Sequence, residues 1–436
     1  MNEFKIQVVF IYTFFLFTAC NTANQGLFGK QNPHDQYAQK LKDAGLTQTV
    51  LGQLWMTQAE KALSNPTPIQ LPYKEIGFFA AEKPRAVGLQ FKGKRGEKLS
   101  FQLDKNASGP TVLYADLWEV NTAAKPSFIR SIDSAQRNFE LEIEDDNTSY
   151  ILRLQPELLK SVDYTLSISI GPSLAFPVSG NKGRIASVWG DNRDAGARRH
   201  EGIDIFAPKR TPAIAAADGT VTSVNENNLG GLVVWLRPKD KNYTLYYAHL
   251  DEQLATPGQR VAQGDTIGLI GNTGNARSTP PHLHLGIYAA GGAIDPLPFV
   301  NPSLKKPAEP SAAINLKEDK MRLTKSMTLA GANFANTYPA STIAEPIAAT
   351  AKTYRVVLPS GFVAEIEKGS LQAAEKAIKQ IQLKNDAYLL DEPKINAPRI
   401  RLLSANTTVA VLGLFESFQY VKLGDAEGWL PLTAFE

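Results

Sequence analysis

Cysteine is almost missing from this chain: among 436 residues there is one, Cys20, so no disulfide can close within it. Histidine is nearly as scarce, with five copies, His34, His200, His249, His282 and His284. Charge of one sign is also lacking. Forty-six basic residues face 43 acidic ones, a net charge of +3, and no Lys/Arg block concentrates it. That excludes the basic stripe on which nucleic-acid binding depends, and no nucleic-acid partner is expected. Beyond the N-terminus no apolar run is long enough to span a bilayer. What remains is ordinary for globular protein, 43% hydrophobic and 20% charged, and the length suits about three domains at roughly 150 residues each.

The lone cysteine has an informative position. Lys5 precedes an apolar run from Ile6 to Phe17, followed by small residues Thr18 and Ala19. The run is short for a transmembrane helix and fits a signal-peptide core over residues 1–19. Leu16-Phe17-Thr18-Ala19-Cys20 resembles a bacterial lipoprotein processing site, with Phe17 where leucine is usual. The resemblance implies lipidation at Cys20, a polar tether over residues 20–33 and a protein held by an acyl anchor in the bacterial cell envelope. The outer membrane, facing the periplasm, is the expected place.

The fold class read from periodicity is mainly β and multi-domain. Leu46, Val50, Leu51, Leu54 and Trp55 recur at helical spacing, and Asn65-Pro66 stops the pattern, so a helical hairpin is expected over 34–64. Between 72 and 170 the period becomes two. FELEIE and YTLSISI alternate apolar and polar residues, and Gly, Pro, Asn and Asp separate such runs, as in an antiparallel β-sandwich. Trp118 reads there as core. Residues 172–300 combine glycines with short strands, and 301–312 form a Pro/Ala/Lys linker. YRVVLPSGFVAEI and YVKLGDAEGWLPL each resemble the end of a bacterial SH3-like barrel, which implies two SH3-like modules over 313–372 and 373–436. Ala364 stands where the first would carry glycine, and LQAAEKAIKQIQL reads as a short helix.

Four of the five histidines fall within 172–300, in HEGID, YYAHL and PPHLHLGIY. In HLHLGI the leucines and Ile287 alternate with His282, His284 and Gly286, so both imidazoles share one strand face. In HEGID a straight strand would hold His200 and Asp204 roughly 13 Å apart. Their convergence on one ion needs a bend at Glu201-Gly202, which glycine permits. Two histidines and a carboxylate around an open position form a catalytic zinc set. There is no HExxH, so the base of that class is missing. Glu201 points away from its neighbours and reads as solvated or as a supporting residue beyond the ion's own ligands.

These three motifs, in this order and with these glycines, resemble the lysostaphin-like family of zinc peptidoglycan endopeptidases. The likeness runs over about 174 to 300, and TPAIAAADGTVTSV and GQRVAQGDTIGLIGNTGN fit it too. It implies a β-rich metallopeptidase domain in which His200, Asp204 and His284 bind one Zn2+ per chain. It implies catalytic roles for His249 and His282, with one handling the water's proton and the other stabilising the oxyanion or protonating the leaving amine. Hydrolysis of cross-links or stem peptides of peptidoglycan is therefore expected, in an open cleft. The alternative is a non-catalytic wall-binding regulator that activates another murein hydrolase.

Overall fold

The computed structural model describes residues 32–436 apart from 108, 121–124, 133–137, 194–195, 312–314, 317–319 and 332–333. The leader, Cys20 and most of the tether lie outside the described residues.

Helices α1 (Pro33–Asp43) and α2 (Val50–Ser64) form the N-terminal hairpin. Asn32 caps the first through its side chain, which accepts from the Asp35 amide, and Thr49 caps the second by accepting from Gly52. The buried face of α2 is rotated from the one periodicity suggests. Trp55, Ala59 and Ala62 pack inward, while Leu46, Val50 and Leu54 are exposed. Polar contacts set this rotation. Trp55 Nε1 donates to the Pro156 carbonyl at 2.9 Å, and the ring stacks on His34 at 4.7 Å. His34 is thus a core residue of the helical hairpin.

Beneath the helices lies a two-sheet sandwich. One sheet runs Thr67–Pro68, Val87–Phe91, Ser149–Pro156, Leu113–Val120, Ser127–Ile132. The other contains Tyr73–Phe79, Val162–Pro172, Glu97–Asn106 and Asn138–Glu142. Along Val162–Pro172, Tyr164, Leu166, Ile168 and Ile170 are buried in alternation with half-buried polar residues, as the period of two requires. Trp118 is half-buried, not core: Arg153 lies over its ring at 5.3 Å.

The C-terminal third departs from two tandem SH3-like barrels. Strands Ile343–Ala349, Thr353–Val357 and Val363–Glu367 continue the second sandwich sheet, with Ile76 paired to Ala349 and Gly77 to Ala348. Residues 379–431 form a six-stranded sheet with Lys379–Gln382 and Arg399–Leu403 at its ends, and no closed barrel is formed among the described residues. One core runs from Met321 to Trp429 across both expected modules. LQAAEKAIKQIQL is not helical; it contains strands Leu371–Ala373 and Lys379–Gln382. The 301–312 segment is also held down, by a backbone bridge between Lys305 and Ile170 and by Lys74–Glu309 at 2.7 Å.

Between these parts of the chain sits a separate β domain with its own core. Its main sheet is ordered Arg184–Ser187, Ile203–Phe206, His282–Ala289, Thr244–Gln253, Gly231–Pro238, Gly219–Asn227, Arg260–Val261. Ile203, Ile205, Leu245, Tyr247, Leu283, Leu285 and Ile287 are fully buried on one face. The opposite face carries Asp204 and the HxH pair. Phe299 joins the domain to the sandwich, its ring pressed where Gly96 has no side chain. Gly96 has φ +91°, and a Cβ there would lie 2.2 Å from the Phe299 ring, so both conformation and space require glycine.

Candidate active site

Antiparallel register brings the site together. Asp204 pairs with His284 and Phe206 with His282, so these four side chains share the outer face. Ala248 pairs with His284 on the other flank, and His249 follows it. There the Thr244–Gln253 strand carries a bulge against Gly231–Pro238, and His249 has φ +62°. A non-glycine residue in the left-handed region marks a strained position, and here the strain turns the imidazole toward the HxH pair. Backbone bonds hold it: His249 N donates to the Gly230 carbonyl at 2.7 Å, and Gly271 N donates to the His249 carbonyl at 3.0 Å. His282 N donates to the Gly271 carbonyl at 3.1 Å, so one glycine ties both histidine-bearing segments.

His200 precedes the Ile203–Phe206 strand, and the chain bends at Gly202. The bend brings His200 Nε2 to 3.1 Å from Asp204 Oδ1. Glycine is needed there for space rather than for a left-handed φ. A Cβ on Gly202 would lie 2.6 Å from both His284 Cε1 and the Leu285 carbonyl. Glu201 is exposed, as expected of a residue pointing the other way.

His284 Nδ1 lies 3.0 Å from Asp204 Oδ1 and 3.0 Å from His200 Nε2. Three donors thus face one another at 3.0–3.1 Å. Donors about 2.1 Å from one tetrahedral ion lie about 3.4 Å apart, so a small divalent cation fits with a slight opening of the triangle. The tautomers suit ligation. His200 Nδ1 faces the Val188 carbonyl at 3.0 Å, and a carbonyl only accepts, so Nδ1 carries the proton and Nε2 keeps its lone pair. His249 Nδ1 faces the Thr273 carbonyl and His282 Nδ1 the Pro280 carbonyl, each at 2.9 Å. By the same reasoning both leave Nε2 free to accept a proton. His282 Nε2 is 3.9 Å from Asp204 Oδ1, and its ring is 4.9 Å from that of His249.

Burial sets the protonation states. Burial would raise the Asp204 carboxyl, but the facing His200 and His284 imidazoles outweigh it and hold the group far below the carboxylate range. Burial, then the neighbouring imidazoles of His284 and His282, push His249 down to about 4. Burial also lowers His284, against the pull of Asp204.

Sequence reading missed a supporting group. Arg193 Nη2 donates to Asp204 Oδ2 at 2.5 Å and to Ser187 Oγ at 2.8 Å. Ser187 Oγ in turn lies 3.2 Å from His200 Nδ1. Asp204 therefore has one oxygen engaged by arginine and the other turned toward the histidines. No spacing in SVWGDNR announces this, because the contact depends on a hairpin, Asn192–Arg193 with Arg198–Arg199, that folds back over the site.

Comparison with known proteins agrees with this geometry. The model of peptidase family M23 matches residues 198–296. This segment is an M23 peptidase domain. Its relatives include an uncharacterized metalloprotease of Haemophilus influenzae, 40% identical over 26% of this chain and 24% of the relative. A peptidoglycan DD-endopeptidase of Vibrio cholerae, ShyC, is 36% identical over 31% of each chain. An L-Ala--D-Glu endopeptidase of Bacillus subtilis is 38% identical over 26% of this chain and 38% of the relative. The chain spans between about a quarter and two-fifths of the length of these curated relatives. All the candidate site residues, His200, Asp204, His249, His282 and His284, lie inside the M23 match.

Proposed function

We propose that the protein is a zinc-dependent endopeptidase that hydrolyses peptide bonds of bacterial peptidoglycan. The carrying observation is the convergence of His200 Nε2, Asp204 Oδ1 and His284 Nδ1 within one small group, the only such donor triad among the described residues. These three atoms would hold the ion. Zinc supplies Lewis acidity, activating water and polarising a peptide carbonyl. The names of the Vibrio and Bacillus relatives support peptidoglycan peptides as the substrate class. Those two names denote different bonds, so the bond cleaved here follows from neither.

The chain's own residues divide the remaining work. The Thr273 and Pro280 carbonyls fix the Nδ1 protons of His249 and His282, so each ring presents Nε2 as an acceptor. A base whose conjugate acid titrates near 4 is neutral at physiological pH, as His249 is. One imidazole takes the proton of the attacking water. The other, once protonated, donates to the oxyanion or the departing amine. Arg193 holds Asp204 in its one-oxygen presentation.

Results

Sequence analysis

Cysteine is almost missing from this chain: among 436 residues there is one, Cys20, so no disulfide can close within it. Histidine is nearly as scarce, with five copies, His34, His200, His249, His282 and His284. Charge of one sign is also lacking. Forty-six basic residues face 43 acidic ones, a net charge of +3, and no Lys/Arg block concentrates it. That excludes the basic stripe on which nucleic-acid binding depends, and no nucleic-acid partner is expected. Beyond the N-terminus no apolar run is long enough to span a bilayer. What remains is ordinary for globular protein, 43% hydrophobic and 20% charged, and the length suits about three domains at roughly 150 residues each.

The lone cysteine has an informative position. Lys5 precedes an apolar run from Ile6 to Phe17, followed by small residues Thr18 and Ala19. The run is short for a transmembrane helix and fits a signal-peptide core over residues 1–19. Leu16-Phe17-Thr18-Ala19-Cys20 resembles a bacterial lipoprotein processing site, with Phe17 where leucine is usual. The resemblance implies lipidation at Cys20, a polar tether over residues 20–33 and a protein held to a membrane of the bacterial cell envelope by an acyl anchor. The outer membrane, facing the periplasm, is the expected place.

The fold class read from periodicity is mainly β and multi-domain. Leu46, Val50, Leu51, Leu54 and Trp55 recur at helical spacing, and Asn65-Pro66 stops the pattern, so a helical hairpin is expected over 34–64. Between 72 and 170 the period becomes two. FELEIE and YTLSISI alternate apolar and polar residues, and Gly, Pro, Asn and Asp separate such runs, as in an antiparallel β-sandwich. Trp118 reads there as core. Residues 172–300 combine glycines with short strands, and 301–312 form a Pro/Ala/Lys linker. YRVVLPSGFVAEI and YVKLGDAEGWLPL each resemble the end of a bacterial SH3-like β-barrel, which implies SH3-like modules over 313–372 and 373–436. Ala364 stands where the first would carry glycine, and LQAAEKAIKQIQL reads as a helical turn or short helix.

Four of the five histidines fall within 172–300, in HEGID, YYAHL and PPHLHLGIY. In HLHLGI the leucines and Ile287 alternate with His282, His284 and Gly286, so both imidazoles share one strand face. In HEGID a straight strand would hold His200 and Asp204 roughly 13 Å apart. Their convergence on one ion needs a bend at Glu201-Gly202, which glycine permits. Two histidines and a carboxylate around an open position form a catalytic zinc set. There is no HExxH, so the carboxylate base of that class is missing. Glu201 should point away from its neighbours and reads as solvated or as a supporting residue beyond the ion's own ligands.

These three motifs, in this order and with these glycines, resemble the lysostaphin-like family of zinc peptidoglycan endopeptidases. The likeness runs over 174 to 300, and TPAIAAADGTVTSV and GQRVAQGDTIGLIGNTGN fit it too. It implies a β-rich metallopeptidase domain over 172–300 in which His200, Asp204 and His284 bind one Zn2+ per chain. It implies catalytic roles for His249 and His282, one handling the water's proton, the other stabilising the oxyanion or protonating the leaving amine. Hydrolysis of peptide cross-links or stem peptides of peptidoglycan is therefore expected, in an open cleft. The alternative is a non-catalytic wall-binding regulator that activates another murein hydrolase.

Overall fold

The computed structural model describes residues 32–436 apart from 108, 121–124, 133–137, 194–195, 312–314, 317–319 and 332–333. The leader, Cys20 and nearly all of the tether lie outside the described residues.

Helices α1 (Pro33–Asp43) and α2 (Val50–Ser64) form the N-terminal hairpin. Asn32 caps the first through its side chain, which accepts from the Asp35 amide, and Thr49 caps the second by accepting from Gly52. The buried face of α2 is rotated from the one periodicity suggests. Trp55, Ala59 and Ala62 pack inward, while Leu46, Val50 and Leu54 are exposed. Specific contacts set this rotation. Trp55 Nε1 donates to the Pro156 carbonyl at 2.9 Å, and the ring stacks on His34 at 4.7 Å. His34 thus belongs to the packing of the hairpin on the sandwich.

Beneath the helices lie two sheets. One runs Thr67–Pro68, Val87–Phe91, Ser149–Pro156, Leu113–Val120, Ser127–Ile132. The other contains Tyr73–Phe79, Val162–Pro172, Glu97–Asn106 and Asn138–Glu142. Along Val162–Pro172, Tyr164, Leu166, Ile168 and Ile170 are buried in alternation with half-buried polar residues, as the period of two requires. Trp118 is half-buried rather than core, and Arg153 lies over its ring at 5.3 Å.

The C-terminal third departs from two tandem SH3-like barrels. Strands Ile343–Ala349, Thr353–Val357 and Val363–Glu367 continue the second sandwich sheet, with Ile76 paired to Ala349 and Gly77 to Ala348. Residues 379–431 form a six-stranded sheet with Lys379–Gln382 and Arg399–Leu403 at its ends, and no closed barrel is formed among the described residues. One core includes residues from Met321 to Trp429, across both expected modules. LQAAEKAIKQIQL has no α-helix and contains strands Leu371–Ala373 and Lys379–Gln382. The 301–312 segment is held down as well, by a backbone bridge between Lys305 and Ile170 and by Lys74–Glu309 at 2.7 Å.

Between these parts of the chain sits a β domain with its own core. Its main sheet is ordered Arg184–Ser187, Ile203–Phe206, His282–Ala289, Thr244–Gln253, Gly231–Pro238, Gly219–Asn227, Arg260–Val261. Ile203, Ile205, Leu245, Tyr247, Leu283, Leu285 and Ile287 are fully buried on one face. The opposite face carries Asp204 and the HxH pair. Phe299 joins the domain to the sandwich. A Cβ on Gly96, whose φ is +91°, would lie 2.2 Å from the Phe299 ring, so both conformation and space require glycine there.

Candidate active site

Antiparallel register brings the site together. Asp204 pairs with His284 and Phe206 with His282, so these four side chains share the outer face. Ala248 pairs with His284 on the other flank, and His249 follows it. There the Thr244–Gln253 strand is irregularly paired with Gly231–Pro238, and His249 has φ +62°. A non-glycine residue in the left-handed region marks a strained position, and here it accompanies an imidazole turned toward the HxH pair. Backbone bonds hold it: His249 N donates to the Gly230 carbonyl at 2.7 Å, and Gly271 N donates to the His249 carbonyl at 3.0 Å. His282 N donates to the Gly271 carbonyl at 3.1 Å, so one glycine ties both histidine-bearing strands.

His200 precedes the Ile203–Phe206 strand, and the chain bends at Gly202. The bend brings His200 Nε2 to 3.1 Å from Asp204 Oδ1. Glycine is needed there for space rather than for a left-handed φ. A Cβ on Gly202 would lie 2.6 Å from both His284 Cε1 and the Leu285 carbonyl oxygen. Glu201 is exposed, as expected of a residue pointing the other way.

His284 Nδ1 lies 3.0 Å from Asp204 Oδ1 and 3.0 Å from His200 Nε2. Donors about 2.1 Å from one tetrahedral ion lie about 3.4 Å apart, so a small divalent cation fits with a slight opening of this triangle. The tautomers suit ligation. His200 Nδ1 faces the Val188 carbonyl at 3.0 Å, and a carbonyl only accepts, so Nδ1 carries the proton and Nε2 keeps its lone pair. His249 Nδ1 faces the Thr273 carbonyl and His282 Nδ1 the Pro280 carbonyl, each at 2.9 Å. By the same reasoning both leave Nε2 free to accept a proton. His282 Nε2 is 3.9 Å from Asp204 Oδ1, and its ring is 4.9 Å from that of His249.

Burial and neighbours set the protonation states. Burial would raise the Asp204 carboxyl, but the facing His200 and His284 imidazoles outweigh it and hold the group far below the carboxylate range. Burial, then the charges of His284 and His282, push His249 down to about 4. Burial also lowers His284, against the pull of Asp204.

Sequence reading missed a supporting group. Arg193 Nη2 donates to Asp204 Oδ2 at 2.5 Å and to Ser187 Oγ at 2.8 Å. Ser187 Oγ in turn lies 3.2 Å from His200 Nδ1. Asp204 therefore has one oxygen engaged by arginine and the other turned toward the histidines. No spacing in SVWGDNR announces this, because the contact depends on the pairing of Asn192–Arg193 with Arg198–Arg199.

The family model described as Peptidase family M23 matches residues 198–296. This segment is an M23 peptidase domain. Its relatives include an uncharacterized metalloprotease of Haemophilus influenzae, 40% identical over 26% of this chain and 24% of the relative. The peptidoglycan DD-endopeptidase ShyC of Vibrio cholerae is 36% identical over 31% of each chain. An L-Ala--D-Glu endopeptidase of Bacillus subtilis is 38% identical over 26% of this chain and 38% of the relative. This chain's matches thus span between about a quarter and two-fifths of the length of these curated relatives. His200, Asp204, His249, His282 and His284 all lie inside the M23 match, whereas Arg193 precedes it.

Proposed function

We propose that the protein is a zinc-dependent endopeptidase that hydrolyses peptide bonds of bacterial peptidoglycan. The carrying observation is the convergence of His200, Asp204 and His284 donor atoms, the one such triad found among the described residues. These three side chains would hold the ion. Zinc supplies Lewis acidity, activating water and polarising a peptide carbonyl. The names of the Vibrio and Bacillus relatives support peptidoglycan peptides as the substrate class. Those names denote different bonds, so the bond cleaved here follows from neither.

The chain's own residues divide the remaining work. The Thr273 and Pro280 carbonyls fix the Nδ1 protons of His249 and His282, so each ring presents Nε2 as an acceptor. With its pKa at about 4, His249 is neutral near pH 7 and available as a base. One imidazole takes the proton of the attacking water. The other, once protonated, donates to the oxyanion or the departing amine. Arg193 holds Asp204 in its one-oxygen presentation. Lipidation at Cys20 would place this chemistry on the outer membrane facing the periplasm, within reach of the wall.

The test is digestion of intact sacculi by the purified, zinc-supplied full chain, with mass analysis of what is released. Soluble fragments ending at new peptide termini are expected from the wild type, and none from His249→Ala. Zinc-loaded wild type that releases nothing, yet binds sacculi and stimulates a second hydrolase, would replace this reading with the non-catalytic regulator.

A further inference from the structure

The sheet face that carries the site continues past it. Strand alternation on His282–Ala289 adds Gly286 and Tyr288 to the face of His282 and His284. Gly286 pairs with Tyr246, and Tyr246 pairs with Trp235 on the next strand. The result is an aromatic corner beside the histidines. Trp235 and Tyr246 have ring centroids 4.5 Å apart, Trp235 and Tyr288 5.5 Å, and Tyr246 and Tyr288 6.0 Å. Tyr246 also meets His284 edge-on at 6.0 Å.

The corner is a small cluster of its own, in which Val233, Ala248 and Tyr246 are buried and Trp235 and Tyr288 pack against them partly exposed. The opposite face of the same strands buries Leu236, Leu245, Tyr247, Leu285 and Ile287 completely, whereas Trp235 and Tyr288 are half-buried. Tyr246 forms the buried back of the corner, fixed by Asn227 Nδ2 donating to its hydroxyl at 3.3 Å. Gly286 leaves the floor low between His284 and Tyr288. A Cβ there would lie 2.9 Å from Tyr288 Cε2, because the tyrosine ring leans back over the glycine toward the histidines. An outward strand face ordinarily carries polar residues, so two large half-buried rings beside the histidines mark a surface able to take an apolar group.

We propose that Trp235 and Tyr288, backed by Tyr246, form a specificity subsite for an uncharged aliphatic side chain of the peptide substrate. The inference rests on the hydrolase reading above. Tyr288 lies four residues along the strand from His284, and an extended peptide rises about 3.3 Å per residue, so the contacted side chain sits within about four residues of the scissile bond. Ring geometry favours an alkyl chain over a sugar. The planes meet at 47°, 52° and 88°, which makes an angled slot rather than the flat face that a pyranose ring stacks on.

Calorimetry on the zinc-loaded full chain tests this, with blocked pentaalanine peptides carrying norleucine at each position in turn. At one position norleucine should tighten binding about 15- to 60-fold over alanine, since burying two to three further methylenes is worth about that much. Trp235→Ala and Tyr288→Ala should reduce the gain below about twofold with zinc content unchanged, while Trp235→Phe should keep most of it. Gly286→Ala, which displaces the Tyr288 ring without removing it, should also reduce it. The proposal is overturned if no position shows a gain in the wild type, or if the gain survives both alanine variants. It is also overturned if the variants instead lose binding to a β-1,4-linked N-acetylglucosamine tetrasaccharide. Sacculus digestion in parallel separates the two readings: intact norleucine discrimination without any release of fragments overturns the hydrolase assignment alone.

Discussion

At the residue scale, the account turns on which nitrogen and which oxygen face inward. Asp204 Oδ2 is held by Arg193, so Arg193→Gln should leave the fold intact and weaken zinc binding by about 10- to 100-fold in a chelator competition titration. Unchanged affinity would show that the arginine only decorates the site. His249 carries a pH signature. Its pKa falls from 6.5 to about 4 on folding, so between those values the unfolded chain binds more protons. Its contribution to metal-free stability is therefore present above about pH 6.5 and is lost as pH falls through about 4. His249→Ala should flatten the thermal-stability profile across that interval. The grouping of His200, Asp204 and His284, with His249 and His282 beside them, was legible in the sequence because histidine is rare and its three motifs are distinctive. Arg193 was not, since arginine is common and its contact arises only in three dimensions.

At the element scale, the bend before Ile203–Phe206 and the register of His282–Ala289 set the site. The sequence called for glycine at the bend, but the reason is packing against a neighbouring strand, which a single strand's pattern cannot reveal. Gly202→Ala places a methyl group against the Leu285 carbonyl, where backbone must move. It should lower stability by roughly 1–3 kcal/mol in urea unfolding and weaken zinc binding. An unperturbed titration and midpoint would remove the glycine from the account. Period-two alternation identified the sandwich strands correctly because one face of each is buried. The same kind of argument was right for α2 and for Trp55 but not for Val50 and Leu54, which are exposed, because the decisive partners, Pro156 and His34, lie far away in sequence or on another helix. It misjudged LQAAEKAIKQIQL too. Local helix propensity lost there to strand pairing of Leu371–Ala373 with Met321–Leu323 and of Lys379–Gln382 with Thr408–Phe415.

At the scale of the whole molecule, the chain leaves the sandwich, builds the M23 domain and returns to extend the sandwich sheet. Linear reading divides such a chain into beads, which is why the C-terminal strands read as two independent modules. Their attachment is reinforced by a buried ion pair between Arg355 and Glu75, with Tyr73 donating to Glu75 at 2.6 Å. Glu75→Ala would leave the buried guanidinium with Tyr73 at 2.8 Å and Glu365 at 3.5 Å as its remaining side-chain partners, and should cost about 3 kcal/mol in equilibrium unfolding. A loss below about 1 kcal/mol would show that the seam does not depend on it. A second seam contact is acid-sensitive. Burial opposes ionisation of Glu345, but Arg85 and Lys83 outweigh it and bring its pKa down to about 2. That stabilisation is present above about 4.5 and disappears as pH falls toward 2, so Glu345→Gln should blunt the acid-induced loss of thermal stability.

The central claim is that His200, Asp204 and His284 bind the ion while His249 and His282 act beside it. Zinc content of the dialysed full chain, measured by elemental mass spectrometry, tests it most directly. The account predicts about one equivalent in the wild type and in His249→Ala, and near none in His284→Ala. Loss of zinc from His249→Ala, or its full retention by His284→Ala, would contradict it.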